Sequence, residues 1–192
     1  SLQGRGVRVL YISPLKALAT DVARNLLTPV AEMNLDVRIE TRTGDTPVSR
    51  RKRQKEKPPD LLLTTPEQLS LLLSHDDAPY LFSSVERVVL DELHSLAASK
   101  RGDLLALALA RLRTFAPNLT INGLSATVAR PTELRAYLEA QANGEDVIRL
   151  ADLIELHGGA RPDISILETD EPLPWSGHSA RYAMPRVYEA LK

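Results

Sequence analysis

VVLDELHSL, Val88 to Leu96, is the stretch whose reading decides the fold. Three apolar residues run directly into two adjacent carboxylates, Asp91 and Glu92, and His94 stands two places further on. An apolar, β-branched run bounded by polar residues reads as a buried strand. Two like charges side by side at its end repel unless water, a metal or a bound cation takes up the charge. The stretch therefore predicts a strand whose carboxyl end opens onto a polar edge. The plain alternative is a strand that surfaces into a polar turn.

Working outward, short β-rich runs alternate with longer helical ones. VRVLYIS (Val7–Ser13) predicts a strand, and Pro14 opens a helix through about Met33 with Leu15, Leu18, Val22, Leu26 and Val30 at helical spacing. LDVRIET (Leu35–Thr41) is the next strand. Thr46 as an N-cap with Pro47 in the first turn predicts a polar helix running to Pro58. DLLLTT (Asp60–Thr65) is a strand, followed by a helix from Pro66 to about Leu73. VERVVLD is the fourth strand, and the Leu/Ala-rich run Arg101–Phe115 predicts a helix buried around much of its girth. LTINGLSAT holds the fifth strand, with a helix from Pro131 to about Glu139. Strands alternating with crossover helices predict an α/β fold: a parallel sheet with helices on both faces. After Asn143 the character changes. VIRL and DISIL are strand candidates, EPLPWSGH is a turn-rich connector, and a helical segment begins near Ala180. The expected division is a first domain over 1–143 and a linker leading into a second over 144–192.

Composition excludes more than it selects. Lys plus Arg is 24 against Asp plus Glu at 25, for a net charge of −1, so any basic surface is local. The absence of cysteine removes disulfides, thiolate metal sites and a cysteine nucleophile, and fits a reducing, cytoplasmic setting. No apolar run approaches the ~20 residues of a membrane span.

In an open parallel sheet, ligands bind beyond the carboxyl ends of the strands. Five polar segments fall there: Ser13-Pro14-Leu15-Lys16, Arg42-Thr43-Gly44-Asp45, Thr64-Thr65-Pro66-Glu67, Asp91-Glu92-Leu93-His94 and Ser125-Ala126-Thr127. Hydroxyls, helix-start N–H groups and a few cations suit phosphate oxygens, and the carboxylate pair suits magnesium and an attacking water.

With these segments in order, the chain resembles the first RecA-like domain of a superfamily-two DExH-box helicase. YISPLKALATDVARNL resembles motif Ia, TGDTPVSRR the signature that follows it, LLTTPEQL motif Ib, VVLDELH motif II and GLSAT motif III. DELHSLAASKRGDLLALALARL further resembles the large-helicase-related (Lhr) group, in particular its ligase-associated branch. The resemblance implies a P-loop NTPase fold that uses ATP and Mg2+ and moves on single-stranded or partly duplex nucleic acid, DNA favoured, plausibly in repair. A DNA ligase as a partner is implied by the resemblance alone. Asp91 would hold magnesium through water, and Glu92 would be the general base for the water that attacks the γ-phosphate. His94, Ser125 and Thr127 would couple hydrolysis to movement. Ser13, Pro14, Lys16, Thr43, Gly44, Thr65, Pro66 and Glu67 lie where such enzymes meet the strand.

One departure stands out: no GxxxxGK[ST] occurs in the 192 residues. The phosphate-cradling loop is expected before the first strand read here, and the arginine fingers in a second domain. The chain reads as part of a motor whose activity belongs to a longer protein. Two other classes stay open: a nucleic-acid-binding module that lost its ATPase, and a protein-translocating ATPase. The run Arg50-Arg51-Lys52-Arg53-Gln54-Lys55-Glu56-Lys57 reads as a solvated helix face, with a strand contact as the alternative. His75, His157 and His178 show no metal spacing, and Trp175 reads as linker packing.

Overall fold

The computed structural model describes residues 6–126, 128, 130–141, 147–156 and 179–190. Thr127, the DISIL strand candidate, His157, Trp175 and His178 lie outside them. The chain divides into two compact units, Ser1–Leu153 and Ile154–Lys192.

The first unit is built on five parallel strands: β1 (Val9–Ile12), β2 (Ile39–Arg42), β3 (Leu61–Thr64), β4 (Arg87–Leu90) and β5 (Thr120–Gly123). Their spatial order is β2-β3-β1-β4-β5. The register is level at the carboxyl ends: Ile12 pairs with both Thr64 and Leu90, Arg42 with Thr64, and Leu90 with Gly123. Each strand is shorter than its apolar run predicts. Flanking residues still bond to the neighbouring strand, as where Ser13 N donates to Thr64 O at 3.0 Å.

Side-chain alternation sends the two faces to different helices. Leu10, Ile12, Leu62, Val88 and Leu90 pack with residues of α3 (Pro66–Leu73), α4 (Ala78–Phe82) and α6 (Lys100–Phe115). Leu63, with Tyr11, Ile39 and Leu61 beside it, packs against Ala19 and Ala23 of α1 (Lys16–Glu32). Each leucine fully removed from water contributes about 1.5–3 kcal/mol. The first face therefore carries most of the core energy.

Four local expectations need correcting. The helix after β2 is α2 (Val48–Glu56), with Pro47 rather than Thr46 as its N-cap. The Thr46 hydroxyl is engaged elsewhere, accepting from Thr43 N at 2.9 Å. Helix α6 buries one side only, through Leu105, Ala108, Leu109 and Leu112, while Leu107 is 71% exposed. Two five-residue helices, α4 and α5 (Leu93–Ala97), stand where no helix is expected. VIRL is in no strand: its Arg149 N and C=O are both taken by the Gln141 side-chain amide, at 3.1 and 2.9 Å, and Ala151 N reaches Arg135 O. Those contacts lay the segment along the end of α7 (Pro131–Leu138). In the second unit the described element is α8 (Ser179–Ala190).

Candidate nucleotide and strand site

The site grows from the end of β4. Asp91 N still donates to Ile12 O, at 2.9 Å, so the ladder holds the backbone of Asp91 in place. Glu92 then adopts a left-handed conformation, φ 49° and ψ 45°, and caps α5. A side chain other than glycine there costs about 1–2 kcal/mol. The turn is stabilised by its own bonds: Glu92 N donates to Asp91 Oδ1 at 3.0 Å, and Glu92 O accepts from Ser95 N and Ser95 Oγ, both at 2.9 Å. The two adjacent carboxylates thus have different neighbours: Asp91 Oδ1 accepts from the Glu92 N–H, and Glu92 Oε2 lies beside His94.

Next to this turn comes the end of β5. Leu124 N donates to Leu90 O at 2.8 Å and Leu93 N to Leu124 O at 2.9 Å, which stitches the two strand ends together. Gly123 makes the approach possible, because a Cβ there would lie 2.5 Å from Leu93 Cδ2. The result is a short polar chain. His94 Nδ1 lies 2.9 Å from Ser125 Oγ, and His94 Nε2 lies 3.4 Å from Glu92 Oε2. One imidazole thus touches the expected base on one side and the neighbouring strand end on the other.

Tyr11, absent from the candidate residues above, belongs to the site. Its register partner on β4 is Val89, two residues before Asp91, so alternation puts both on one face. Its hydroxyl is pushed well above the ordinary tyrosine range, first by burial, then by a hydrogen bond with Asp91 and the charges of Asp91 and Glu92. The protonated Tyr11 hydroxyl is the donor toward Asp91. Strand parity is the sequence signal that could have found it.

The nucleic-acid candidates divide by exposure. Lys16, Gly44 and Glu67 are exposed and Pro14 is half-buried. Ser13 is fully buried, with no partner for its Oγ among the described residues, and Thr43, Thr65 and Pro66 are buried too. These four shape the edge instead of presenting side chains to it. Lys16 Nζ sits between the two oxygens of Asp45, at 3.1 and 3.0 Å. Glu67 is held by Arg101, with Nε–Oε1 at 2.5 Å and Nη2–Oε2 at 3.1 Å. Burial pushes the Glu67 carboxyl up, but the Arg101 hydrogen bond and those from its own backbone and Thr65 outweigh it, and its pKa is lowered.

The basic run of α2 turns inward. Arg50 and Arg53 both reach the Glu40 carboxylate, at 3.3 and 3.2 Å, and Glu40 is only 7% exposed. Gln54 Nε2 donates to Glu40 Oε2 at 2.9 Å. Burial raises the Glu40 pKa, and the bonds from Gln54 and Arg50 with the charge of Arg53 bring it below the ordinary value. Arg51 donates to Thr46 O and Gly44 O, each at 2.7 Å, so it clamps the Thr43–Thr46 turn. Lys55 pairs with Asp77 at 2.8 Å. Half of the run, Arg50, Arg51, Arg53 and Gln54, braces β2 and its following turn, while Lys52, Glu56 and Lys57 stay exposed.

A DEAD/DEAH box helicase family model matches residues 1–134. The chain belongs to the DEAD/DEAH box helicase family. It is 46% identical over 72% of its length to the Lhr helicase/probable uracil glycosylase of Mycolicibacterium smegmatis, and spans 10% of that protein. It is 41% identical over 73% of its length to the ATP-dependent helicase Lhr-Core of Methanothermobacter thermautotrophicus, of which it spans 17%. Among solved structures, Mycobacterium smegmatis Lhr bound to ssDNA and AMP-PNP matches with a TM-score of 0.66 at 45% identity, over 72% of this chain and 19% of that one. The chain therefore spans a small part of the length of its helicase relatives, and its sheet is RecA-like.

Proposed function

We propose that this domain is one nucleotide-facing half of an ATP-dependent helicase or translocase of the Lhr type. The phosphate-cradling loop and a second RecA-like domain come from the rest of a longer protein, with residues 1–143 forming the first domain and 144–192 leading toward the second. The observation that carries the reading is the polar chain Glu92–His94–Ser125, which joins the expected base to the neighbouring strand end.

Magnesium fits the donor set. Asp91 is a partly exposed carboxylate with one oxygen engaged by the Glu92 N–H, and the described residues contain no cluster of three or more His, Cys, Asp or Glu that could hold a metal. Magnesium in nucleotide sites needs only one or two carboxylates beside substrate phosphates and waters. Asp91 would hold it through water, and when bound it would neutralise charge on the β- and γ-phosphates. Glu92 would take the proton of the attacking water. His94 holds Glu92 and Ser125 in register, so Ser125, with Thr127 beyond it, would sense whether the nucleotide site is closed.

The strand would lie across the other loops of the edge. Helix α1 has no side-chain cap and no acidic residue in its first turn, so its free N–H groups attract phosphate beside Lys16. Phosphate contacts of this kind position a strand without reading bases. DNA is the favoured strand, since a close structural match holds ssDNA. A repair role and a cytoplasmic setting go with that reading; among the described residues no helix is long and apolar enough to cross a membrane. A DNA ligase partner has no support among the described residues.

Unwinding per ATP consumed, measured on the longer protein, tests the coupling. Ser125→Ala should keep ATP and single-strand binding and much of the ATPase, while strand separation falls well below it. Loss of both activities in equal proportion would make Ser125 a structural turn residue and sink the coupling role.

A further inference from the structure

Lys16 is an exposed cation at the start of α1 on this edge, yet its charge is already answered. Asp45 holds Lys16 Nζ with both carboxylate oxygens, at 3.1 and 3.0 Å. The pair is open to solvent, Lys16 at 57% and Asp45 at 77% side-chain exposure. Among the described residues the Asp45 carboxylate makes no hydrogen bond or ion pair with any other side chain. Its backbone, by contrast, is fixed: Asp45 N donates to Thr43 Oγ1 at 3.4 Å, and Arg51 clamps the carbonyls on either side of it, those of Gly44 and Thr46. An added Cβ on Gly44 would lie 3.7 Å from Lys16 Nζ, so the ammonium rests against this turn. A fixed turn thus presents a carboxylate where an incoming phosphate oxygen would sit, with the same charge sign and similar oxygen spacing.

From these contacts we infer that Asp45 is a resident substitute for strand phosphate, which keeps Lys16 aimed at the edge and must be displaced when a nucleic-acid backbone binds. The inference rests on the proposed strand track and adds to it a residue that weakens binding. Exchange of one anion for another lowers the net gain from each phosphate contact, so a strand can be released and re-gripped. It also changes what Lys16 contributes to salt dependence. Each phosphate met by a lysine releases a cation from the strand, but at Lys16 the displaced Asp45 carboxylate attracts a cation in return.

The test is binding of a fluorescently labelled oligothymidylate to the 192-residue chain, followed by anisotropy across a salt series. Asp45→Asn should tighten binding by about two- to fivefold, the scale of an exposed ion pair. It should also steepen the plot of log K against log salt, by at most about 0.7, because no displaced carboxylate takes up a cation in return. In a Lys16→Ala background the same change should have no effect. Glu86→Gln removes the same charge from the Arg8 pair at the opposite end of the sheet and should leave binding as it was. Equal tightening by Glu86→Gln, persistence of the Asp45→Asn gain without Lys16, or weaker binding by a folded Asp45→Asn protein would each overturn the inference. If the unaltered chain binds no oligonucleotide at any salt concentration, the strand track fails and the inference falls with it.

Discussion

At the scale of single residues, the site is governed by a few close approaches. Gly123 is needed because a methyl group there would overlap Leu93 and press on Leu138. Gly123→Ala should destabilise the domain by ~1–3 kcal/mol, the usual cost of overpacking, with the displaced Leu93 dragging His94 away from Ser125. Denaturant unfolding measures the first effect. Glu40 offers a second test. Its folded pKa is lowered, so ionised Glu40 stabilises the fold above its unfolded pKa, and that contribution is lost as pH falls through the folded value. Glu40→Gln should cost ~1–3 kcal/mol at neutral pH, through lost hydrogen bonds to a buried charge. The difference between variant and parent should shrink below the ordinary glutamate range, about pH 4. Urea midpoints for both proteins across pH 3–7 would show it; a difference that does not change with pH would contradict the role given to this carboxylate.

Elements add a second level, where the turns around the edge are held by parts of the chain distant in sequence. Arg51 on α2 clamps the Thr43–Thr46 turn through two carbonyls. Arg51→Ala should leave the sheet intact and lower hydrogen-exchange protection at Thr43 and Thr46, whose amides bond within the turn at 2.9 and 3.2 Å. Unaltered protection at both would mean that the turn holds itself. Much of this level was legible in the sequence. Apolar runs located all five strands, and Pro66 and Pro131 marked the first residues of α3 and α7. The polar strand ends fell on one edge because a parallel sheet puts every carboxyl end together. The rest needed three dimensions. Helices α4 and α5 are too short to be stable by propensity, and they exist because Leu81, Phe82, Leu93 and Leu96 pack into the core. The inward role of the α2 basic run depends on Glu40, which lies on another element. Likewise no spacing rule pairs Lys16 with Asp45 or Glu67 with Arg101.

For the whole molecule, the division of labour along one sheet edge sets the expectations. The loops after β4 and β5 hold the carboxylates and the His94 link, while those after β1, β2 and β3 hold the strand candidates. Without a phosphate-cradling lysine in its 192 residues, the isolated chain should turn over no ATP above background, because phosphoryl transfer would lack electrostatic stabilisation worth several powers of ten. A steady-state phosphate-release assay checks this, and robust turnover abolished by Glu92→Gln would mean the nucleotide site is complete within these residues. The division between the two carboxylates is the central claim, and Glu92→Gln in the longer protein tests it most directly. Nucleotide binding and strand-stimulated phosphate release are measured on the same preparation. The amide keeps the shape of the side chain but cannot accept the water's proton. ATP affinity should stay within a few-fold of the parent while phosphate release falls by about 10²–10⁴-fold, the contribution of a positioned general base. Turnover that survives the substitution, or nucleotide affinity that disappears with it, would contradict the assignment of Glu92 as the base and Asp91 as the magnesium carboxylate.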